Sequence, residues 1–509
     1  MNFFKKNFLY FIVFITGAAV LIIEVTATRI LAPYFGNTLF TVSSIIGVIL
    51  GALSLGYYIG GLLADKRPEY SLFFLLIFAA GIFSLLIQAL SKIALVMFGP
   101  ALDMKAGPLI SSLILFFAPS LILGMMSPFA IKLKSLELKE VGKVSGSIFF
   151  WSTLGSIAGS FAAGFFLIPH FGISKIIITT GFVLIAIGLL GCWMSKDSEY
   201  KKYLKSSKLS STILFIFFFS LVSFFLPGSR SFILQKDGVY SQITVENTEI
   251  NGKLARILRL DRSLEGGIFL ESDELPFEYT RYYSLYEIVN PQAENALFLG
   301  GGAYSNPRKL LLEENNIKKV DVAEIEPGLY QIAKKYFKLQ EDSRLFNRIT
   351  DGRRFLQETK QDYDLIFADV YYSVYSIPLH FTTQEFFTAA KNKLSGNGLF
   401  LMNIIGTLKE KANLFLLSEI KTFRSVFNNS YFFAVNSPYE KNLQNFIFLG
   451  LKDDLRRIDF EDNQITQNDN EIIRNLSKKR VHPEYLNLDS ALILTDDFAP
   501  VEYLMAKVF

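Results

Sequence analysis

The sequence has very little cysteine and histidine. Its 509 residues contain one cysteine and three histidines. The single thiol, Cys192, excludes a disulfide framework or a cysteine-based metal site within one chain. The histidines, at positions 170, 380 and 482, are too scattered to suggest a zinc site. We therefore expect no metal ion and no bound prosthetic group.

A strong net charge is also absent. The chain has 51 basic and 47 acidic residues, for a formal net charge of +4. An excess this small on so long a chain gives no electrostatic footprint for nucleic acid. We expect no nucleic-acid partner, and the basic residues are informative mainly about membrane topology.

Long hydrophobic runs, in contrast, fill the first half of the chain. A bilayer core of about 30 Å needs about 20 apolar residues per helix. Before a change in composition near Pro227-Gly228, we count seven such segments. Their ranges are 8–31, 39–63, 71–98, 108–131, 144–168, 172–194 and 210–226. The last is short and could be interfacial. Residues 1–227 are thus predicted to form a multi-pass α-helical membrane domain in the lipid bilayer of the cell membrane.

The basic residues indicate which side of the membrane the chain starts on. Lysine and arginine cluster at residues 5–6, 66–67, 132–143 and 196–208, and the alternate loops have few. The positive-inside rule then predicts a cytoplasmic N-terminus. If segment 210–226 spans, the second half lies outside the cell. If it does not span, the second half is cytoplasmic, and the sequence leaves both possibilities open.

Small and charged residues within the spans have two interpretations. The second segment has glycines four apart, at positions 47 and 51 and again at 56 and 60. This spacing favours close helix packing, with a transport path as the alternative. Glu24 and Arg29 lie near the end of the first span, where we expect a structural role for them.

The second half alternates strands with helices. Residues 239–270 predict a β-hairpin with a turn at Asn251-Gly252, followed by a helical aromatic stretch. Strands are then expected at 296–300, 319–325, 364–369 and 398–404, with helices between them. This alternation predicts a small β-rich region at 228–290 and an α/β Rossmann-like domain at 291–509, with a parallel sheet.

Candidate site residues follow the ends of these strands. Gly300, Gly301 and Gly302 form a turn whose N–H groups could approach a ligand, and Glu324 is placed to accept ribose hydroxyls. Asp351, with Gly352, could accept from an adenine amino group, and Asp369 heads a tyrosine-rich loop. Such ends line the ligand crevice of parallel sheets. We predict a nucleoside pocket.

Two further expectations concern residues near this turn. A dinucleotide pocket is the rival interpretation, but Ser305 stands where G-x-G-x-x-G has its last glycine. Glu326 is expected to be a solvated residue at a helix start.

At this point the chain resembles the spermidine synthase family, and specifically its membrane-fused branch. The similar stretches include VYSQITV, DELPFEYTRYY, FLGGGAYSNPR, VAEIEPG, ITDGRRFL, YDLIFADVYYS and LTDDFAPVEYL, and the first two hydrophobic segments also match. The resemblance implies a polyamine aminopropyltransferase. Such an enzyme transfers an aminopropyl group from decarboxylated S-adenosylmethionine, a co-substrate, to a small-molecule amine.

The resemblance also implies roles for particular residues. Gln242, the Gly300–Gly302 turn, Glu324, Asp351 and Gly352 would bind the sulfonium nucleoside. Asp369 matches the proton acceptor, Tyr279 matches a tyrosine of the amine site, and Tyr372 takes the place of a second amine-site residue. Soluble relatives form dimers or tetramers, so a homo-oligomer is possible.

Two departures from the family pattern leave the reaction open. Ala303 replaces an aspartate that contacts the aminopropyl amine, and Tyr372 replaces an acid of the loop. An S-adenosylmethionine-dependent methyltransferase is therefore an alternative, as is a degenerate domain serving as sensor or scaffold for a membrane transporter. His380 and Thr382 could reach the pocket mouth, although Thr382 or Thr383 is better explained as a helix N-cap.

Overall fold

The chain folds as two compact units, Met1–Arg230 and Ser231–Phe509. The computed structural model describes residues 2–95, 97, 99, 102–135, 141–194, 232–313, 316–371, 377–410 and 412–508. The predicted segment 210–226 lies outside these residues.

The first unit is helical. Six of its described helices are long and apolar enough to cross a membrane, and they coincide with the first six predicted segments. They are α1 (Asn2–Phe35), α2 (Leu39–Lys66), α3 (Tyr70–Leu95), α4 (Ala106–Lys134), α5 (Val141–His170) and α6 (Ile173–Met194).

Glycines allow α2 to lie directly against α4, but only along part of its length. A Cβ atom on Gly56 would lie 2.2 Å from the carbonyl oxygen of Leu121, and one on Gly60 would lie 2.6 Å from the Cα of Met125. The prediction of close packing is therefore confirmed for this pair. Among the described residues it does not hold for Gly47 and Gly51: a Cβ on either would have no described atom within 4 Å, because both lie on the exposed face of α2.

One end of the helical unit gathers polar side chains. Lys132 at the end of α4 lies 2.7 Å from the carboxylate of Asp65 at the end of α2. Lys134 lies 4.0 Å above the ring of Tyr10 in the first turns of α1. The basic clusters that close α2 and α4 therefore lie at the same end as the start of α1, as the charge pattern predicts.

The second unit begins with an antiparallel sheet in the order β1-β2-β3-β4. Its strands are β1 (Leu234–Asp237), β2 (Gln242–Ile250), β3 (Lys253–Leu260) and β4 (Ser263–Phe269). The predicted hairpin is confirmed: Asn251 and Gly252, which join β2 to β3, have φ of 51° and 75°, the two positive values of a tight hairpin turn.

An eight-stranded sheet follows, in the order β12-β10-β11-β9-β8-β5-β6-β7. Its strands are β5 (Asn295–Leu299), β6 (Lys319–Glu324), β7 (Leu345–Ile349), β8 (Tyr363–Ala368), β9 (Leu394–Gly406), β10 (Ser430–Ala434), β11 (Gln444–Leu451) and β12 (Arg480–Val481). The run from β7 to β9 is parallel, and β9 to β12 pair antiparallel. The Rossmann-like α/β fold is thus present, with four strands, β7 and β10–β12, that the sequence did not predict.

Short helices connect these strands. A 3₁₀ helix (Glu278–Leu285) leads into α7 (Tyr286–Val289) before the sheet. The others are α8 (Ser305–Leu312), α9 (Leu329–Tyr336), α10 (Gly352–Glu358), α11 (Gln384–Asn392), α12 (Leu414–Val426), α13 (Asn463–Thr466), α14 (Glu471–Arg474), α15 (Leu476–Lys479) and α16 (Val501–Met505). A second 3₁₀ helix covers Leu379–Phe381 and a third covers Pro483–Tyr485.

The order of the strands indicates where a ligand crevice lies in the large sheet. Chain order runs from β5 outward to β7 in one direction and then from β8 outward in the other. In open α/β sheets ligands bind beyond the carboxyl ends of the strands at this switch point. Gly300 follows β5 and Asp369 follows β8, so both lie there.

The two glycine pairs of α2 make a matched test of the helical packing. We expect Gly56→Ala to lower the thermal unfolding midpoint of the detergent-solubilised chain, because its Cβ would overlap backbone and such overpacking costs about 1–3 kcal/mol. Gly51→Ala adds the same methyl group in open space and should leave the midpoint unchanged or raise it. The midpoints are measured by circular dichroism. If both variants change the midpoint by the same amount, this packing is contradicted.

Candidate active site

A cavity at the switch point is lined by acids. Its carboxylates come from β4, the end of β6, the loop after β6, the start of α10 and the loop after β8. They are Glu265, Glu324, Glu326, Asp351 and Asp369. No lysine, arginine or histidine is among the described residues that line it. The cavity therefore suits a cation far better than an anion.

The glycine turn after β5 brings three parts of this wall together. Gly300 and Gly302 have φ of 89° and 50°, values that favour glycine. A Cβ on Gly300 would lie 2.3 Å from the carbonyl oxygen of Asp369, and one on Gly302 equally close to that of Glu265. The turn is thus tight against the loop after β8 on one side and against β4 on the other.

Glu324 is held by this turn. Its Oε2 accepts the N–H groups of Gly301 at 2.7 Å and Gly302 at 3.2 Å, and its Oε1 accepts the N–H of Glu326 at 2.7 Å. Two N–H groups of the turn thus orient a carboxylate in this structure, and the turn itself lines the cavity, so its contact with a ligand stays a prediction. Burial raises the pKa of Glu324, and the three N–H donors oppose that shift.

Asp369 has two side-chain partners. Asn403 of β9 donates from Nδ2 to Oδ1 at 2.9 Å, and the Tyr279 hydroxyl is close enough to favour the charged form of the carboxylate. Asn403 is itself fixed by Asn445, whose Nδ2 lies 2.8 Å from its Oδ1. Burial raises the pKa of Asp369 even though both donors favour the charged form. A partly desolvated carboxylate of this kind can take up a proton.

Asp351 occupies the N-cap of α10. Its Oδ1 accepts the N–H of Arg354 at 2.9 Å, and its Oδ2 lies 3.1 Å from Nε2 of His380. Burial works to raise its pKa, but these partners outweigh burial and the pKa is lowered. The predicted N-cap role falls to Thr383, whose hydroxyl accepts from the N–H of Phe386 at the start of α11.

The structure does not bring every predicted residue to the cavity. The Gln242 side chain lies on the outer part of the small sheet, 3.2 Å from Gln235 and 3.3 Å from Asp237, and is not among the described lining residues. Tyr279 and Gly352 do line it. Tyr372 lies outside the described residues.

The expectation of a solvated Glu326 is wrong. Only 3% of its surface is exposed, and its carboxylate accepts the N–H groups of Val239 at 3.1 Å and Tyr240 at 2.8 Å. Glu326 thereby joins the β1–β2 loop to the large sheet. The sequence offered no signal for this contact, because Val239 and Tyr240 precede Glu326 by 87 and 86 residues.

Ser305, at the position of the last glycine of a dinucleotide motif, has a structural role. Its hydroxyl donates to the carbonyl of Gly267 at 2.7 Å and accepts the N–H of the same residue at 3.1 Å. The start of α8 is thus fastened to β4 by a side chain that glycine lacks.

Glu265 is a cavity residue that the sequence did not point to. Its Oε1 is buried without a hydrogen-bond partner among the described residues. Burial, with the nearby charges of Asp369 and Glu324, raises the pKa of Glu265 well above its usual range. In the sequence it is one acid in a short strand, beside Gly266-Gly267.

Comparison with known proteins gives consistent results. Residues 284–460 match the family described as the spermine/spermidine synthase domain. A polyamine aminopropyltransferase of Vibrio vulnificus is 28% identical over 230 residues, covering 44% of this chain and 74% of that protein. One of Leptospira interrogans is 23% identical over 444 residues, covering 84% and 81%. That alignment is longer than the second unit, so it extends into the helical unit.

Among solved structures, a probable spermidine synthase of Corynebacterium glutamicum is similar to part of the chain. It is 20% identical, with a TM-score of 0.41, and the match covers 47% of this chain and 86% of that one.

The buried Glu326 contact can be tested by its effect on stability. Glu326→Ala should lower the free energy of unfolding by about 1–3 kcal/mol, because two partly buried N–H groups lose their acceptor. Glu326→Gln keeps one acceptor oxygen and should cost less. Glu249→Ala, which changes an exposed glutamate of β2, serves as the control. If all three variants unfold like the wild type, the contact does not stabilise the fold.

Proposed function

We propose that this chain, which contains a spermine/spermidine synthase domain, is a membrane-attached polyamine aminopropyltransferase. It would transfer an aminopropyl group from decarboxylated S-adenosylmethionine to a small amine. The observation that carries the proposal is the acid-lined cavity at the switch point, where Asp369 is hydrogen-bonded to Asn403 and Tyr279 lines the same wall. The helical unit would hold the enzyme in the cell membrane.

The nucleoside would be bound by Glu324 and Asp351. A carboxylate has about four lone-pair sites, and three backbone N–H groups use three of them in Glu324, which leaves one on Oε1. One ribose hydroxyl can therefore donate to Oε1 directly. A second would displace the Gly302 N–H, the longest of the three bonds. An adenine amino group would take the place of His380 as the partner of Oδ2 of Asp351.

Asp369 would act on the attacking amine. An alkylammonium must lose a proton before its nitrogen lone pair can form the new C–N bond. Asp369 attracts the ammonium and accepts that proton. The carbon–sulfur bond of the donor breaks, its electron pair stays on sulfur, and methylthioadenosine leaves. The Tyr279 ring beside Asp369 adds cation–π attraction for the amine, worth up to about 2 kcal/mol when water is excluded.

The charge of the cavity favours this reaction over methyl transfer. Intact S-adenosylmethionine carries a carboxylate that needs a donor or a cation, and the described lining offers no basic side chain to receive it. Decarboxylated S-adenosylmethionine has a sulfonium and an ammonium and no anion. Its charges therefore complement the acids of the wall.

Ligand binding to the purified full chain is the first test. By calorimetry we expect decarboxylated S-adenosylmethionine to bind more tightly than S-adenosylmethionine. Glu324→Ala should weaken binding by about tenfold or more, because a ribose acceptor is lost. Glu341→Ala, at an exposed position, is the control. Tighter binding of the intact cofactor would favour methyl transfer, and binding of neither by a folded chain would leave the scaffold hypothesis.

Turnover provides a second, separate test. With an amine panel as acceptors, Asp369→Asn should lower kcat by about 10²–10⁴, since the amide cannot accept a proton. Binding of methylthioadenosine, which involves no proton transfer, should stay within a few-fold of the wild type. Unchanged kcat in this variant would rule out Asp369 as the proton acceptor.

The raised pKa of Asp369 makes the pH profile informative. An acceptor works only when deprotonated, so kcat/KM should fall as the pH drops through its pKa. Burial raises that pKa, which places the fall at higher pH than for an exposed aspartate. Asn403→Ala removes a donor that favours the charged form and should move the fall to still higher pH. Asn442→Ala, at an exposed site, should leave the profile in place.

A further inference from the structure

Glu265 lies at a β-bulge. Arg259 and Leu258, which are consecutive in β3, pair with Leu264 and Gly266 of β4, so Glu265 between them has no partner in β3. Gly266 has a φ of 130°, a backbone conformation that side chains rarely adopt. Bulges of this kind redirect a side chain and are common beside active sites. This bulge turns an acid of the small sheet toward the cavity.

Glu265 is partly buried there, and one oxygen of its carboxyl, Oε1, is fully buried without a hydrogen-bond donor among the described residues. An unpaired buried polar group normally costs about 1–3 kcal/mol. The described side chains lining the cavity are all neutral or acidic. A cationic group of a ligand could donate the hydrogen bond that Oε1 of Glu265 lacks.

Glu265 also lies beside the position where an acid is missing. The Ala303 N–H lies 3.4 Å from the carbonyl oxygen of Glu265. A Cβ on Gly266 would lie 3.1 Å from the Cβ of Ala303. The acid of the bulge therefore lies against the glycine turn, at the residue that replaces the turn's usual aspartate. It is close enough to Asp369 and to Glu324 for their charges to raise its pKa.

We propose that Glu265 binds the primary ammonium group of the aminopropyl donor and makes the site select the decarboxylated nucleoside. The assignment rests on the proposed function, and it adds the residue that confers donor specificity. A carboxylate here attracts a terminal ammonium and repels the carboxylate of S-adenosylmethionine. Burial and the neighbouring acids raise the pKa of Glu265 and favour its neutral form, whereas an ammonium group beside it would favour the ionised form.

The test compares three nucleosides on the full detergent-solubilised chain. They are decarboxylated S-adenosylmethionine, S-adenosylmethionine and methylthioadenosine, which has no aminopropyl group. Glu265→Gln is close to isosteric and removes only the charge. We expect it to raise the Kd of decarboxylated S-adenosylmethionine about tenfold or more, because a charge-assisted bond is lost. The Kd of methylthioadenosine should stay within about twofold, which also reports that the site is folded.

Selectivity is the second measurement. The ratio of the Kd of S-adenosylmethionine to that of its decarboxylated form should fall in Glu265→Gln. It should be unchanged in Glu271→Gln, the same substitution at an exposed position two residues beyond β4. If the wild type binds all three nucleosides and Glu265→Gln changes neither the affinity nor the ratio, the role of Glu265 is refuted while the proposed function stands. If the wild type binds no nucleoside, both are refuted.

Discussion

Burial of several carboxylates around one cavity, with no cationic side chain among the described lining residues, constrains most of the site. A buried carboxylate needs hydrogen-bond donors, because burial alone disfavours its charge. Glu324 takes three backbone N–H groups and Glu326 takes two. Asp369 accepts from the side chain of Asn403. Glu265 keeps an oxygen without a donor, and this difference points to the place of a cationic ligand.

Backbone geometry supplies these donors. The turn at Gly300–Gly302 can present two N–H groups to Glu324 only because positive φ angles fold it back over β6. The same turn has no room for a Cβ against Asp369 or Glu265. One tight turn therefore sets the spacing of three acids, so under the proposed function a change there would disturb both nucleoside binding and proton transfer.

The sequence predicted the features that depend on order along the chain. Gly300, Glu324 and Asp369 each lie at the end of a predicted strand, and a parallel sheet must bring such ends to one edge. Features that depend on contact between distant elements were missed. The bulge at Glu265 depends on pairing with β3, and burial of Glu326 depends on the β1–β2 loop. The glycines of α2 show the same limit, since their spacing does not say which pair meets a neighbour.

Under the proposed function, Glu265 would stand in for the acid that the turn lacks at Ala303. A Cβ on Gly266 would lie 3.1 Å from the Cβ of Ala303, so glycine at the bulge lets β4 pack closely against the turn. The bulge presents an acid of β4 to the cavity. The proposed amine site would then draw its acids from two elements, Glu265 from β4 and Asp369 from the loop after β8, which are close enough for the charge of Asp369 to raise the pKa of Glu265.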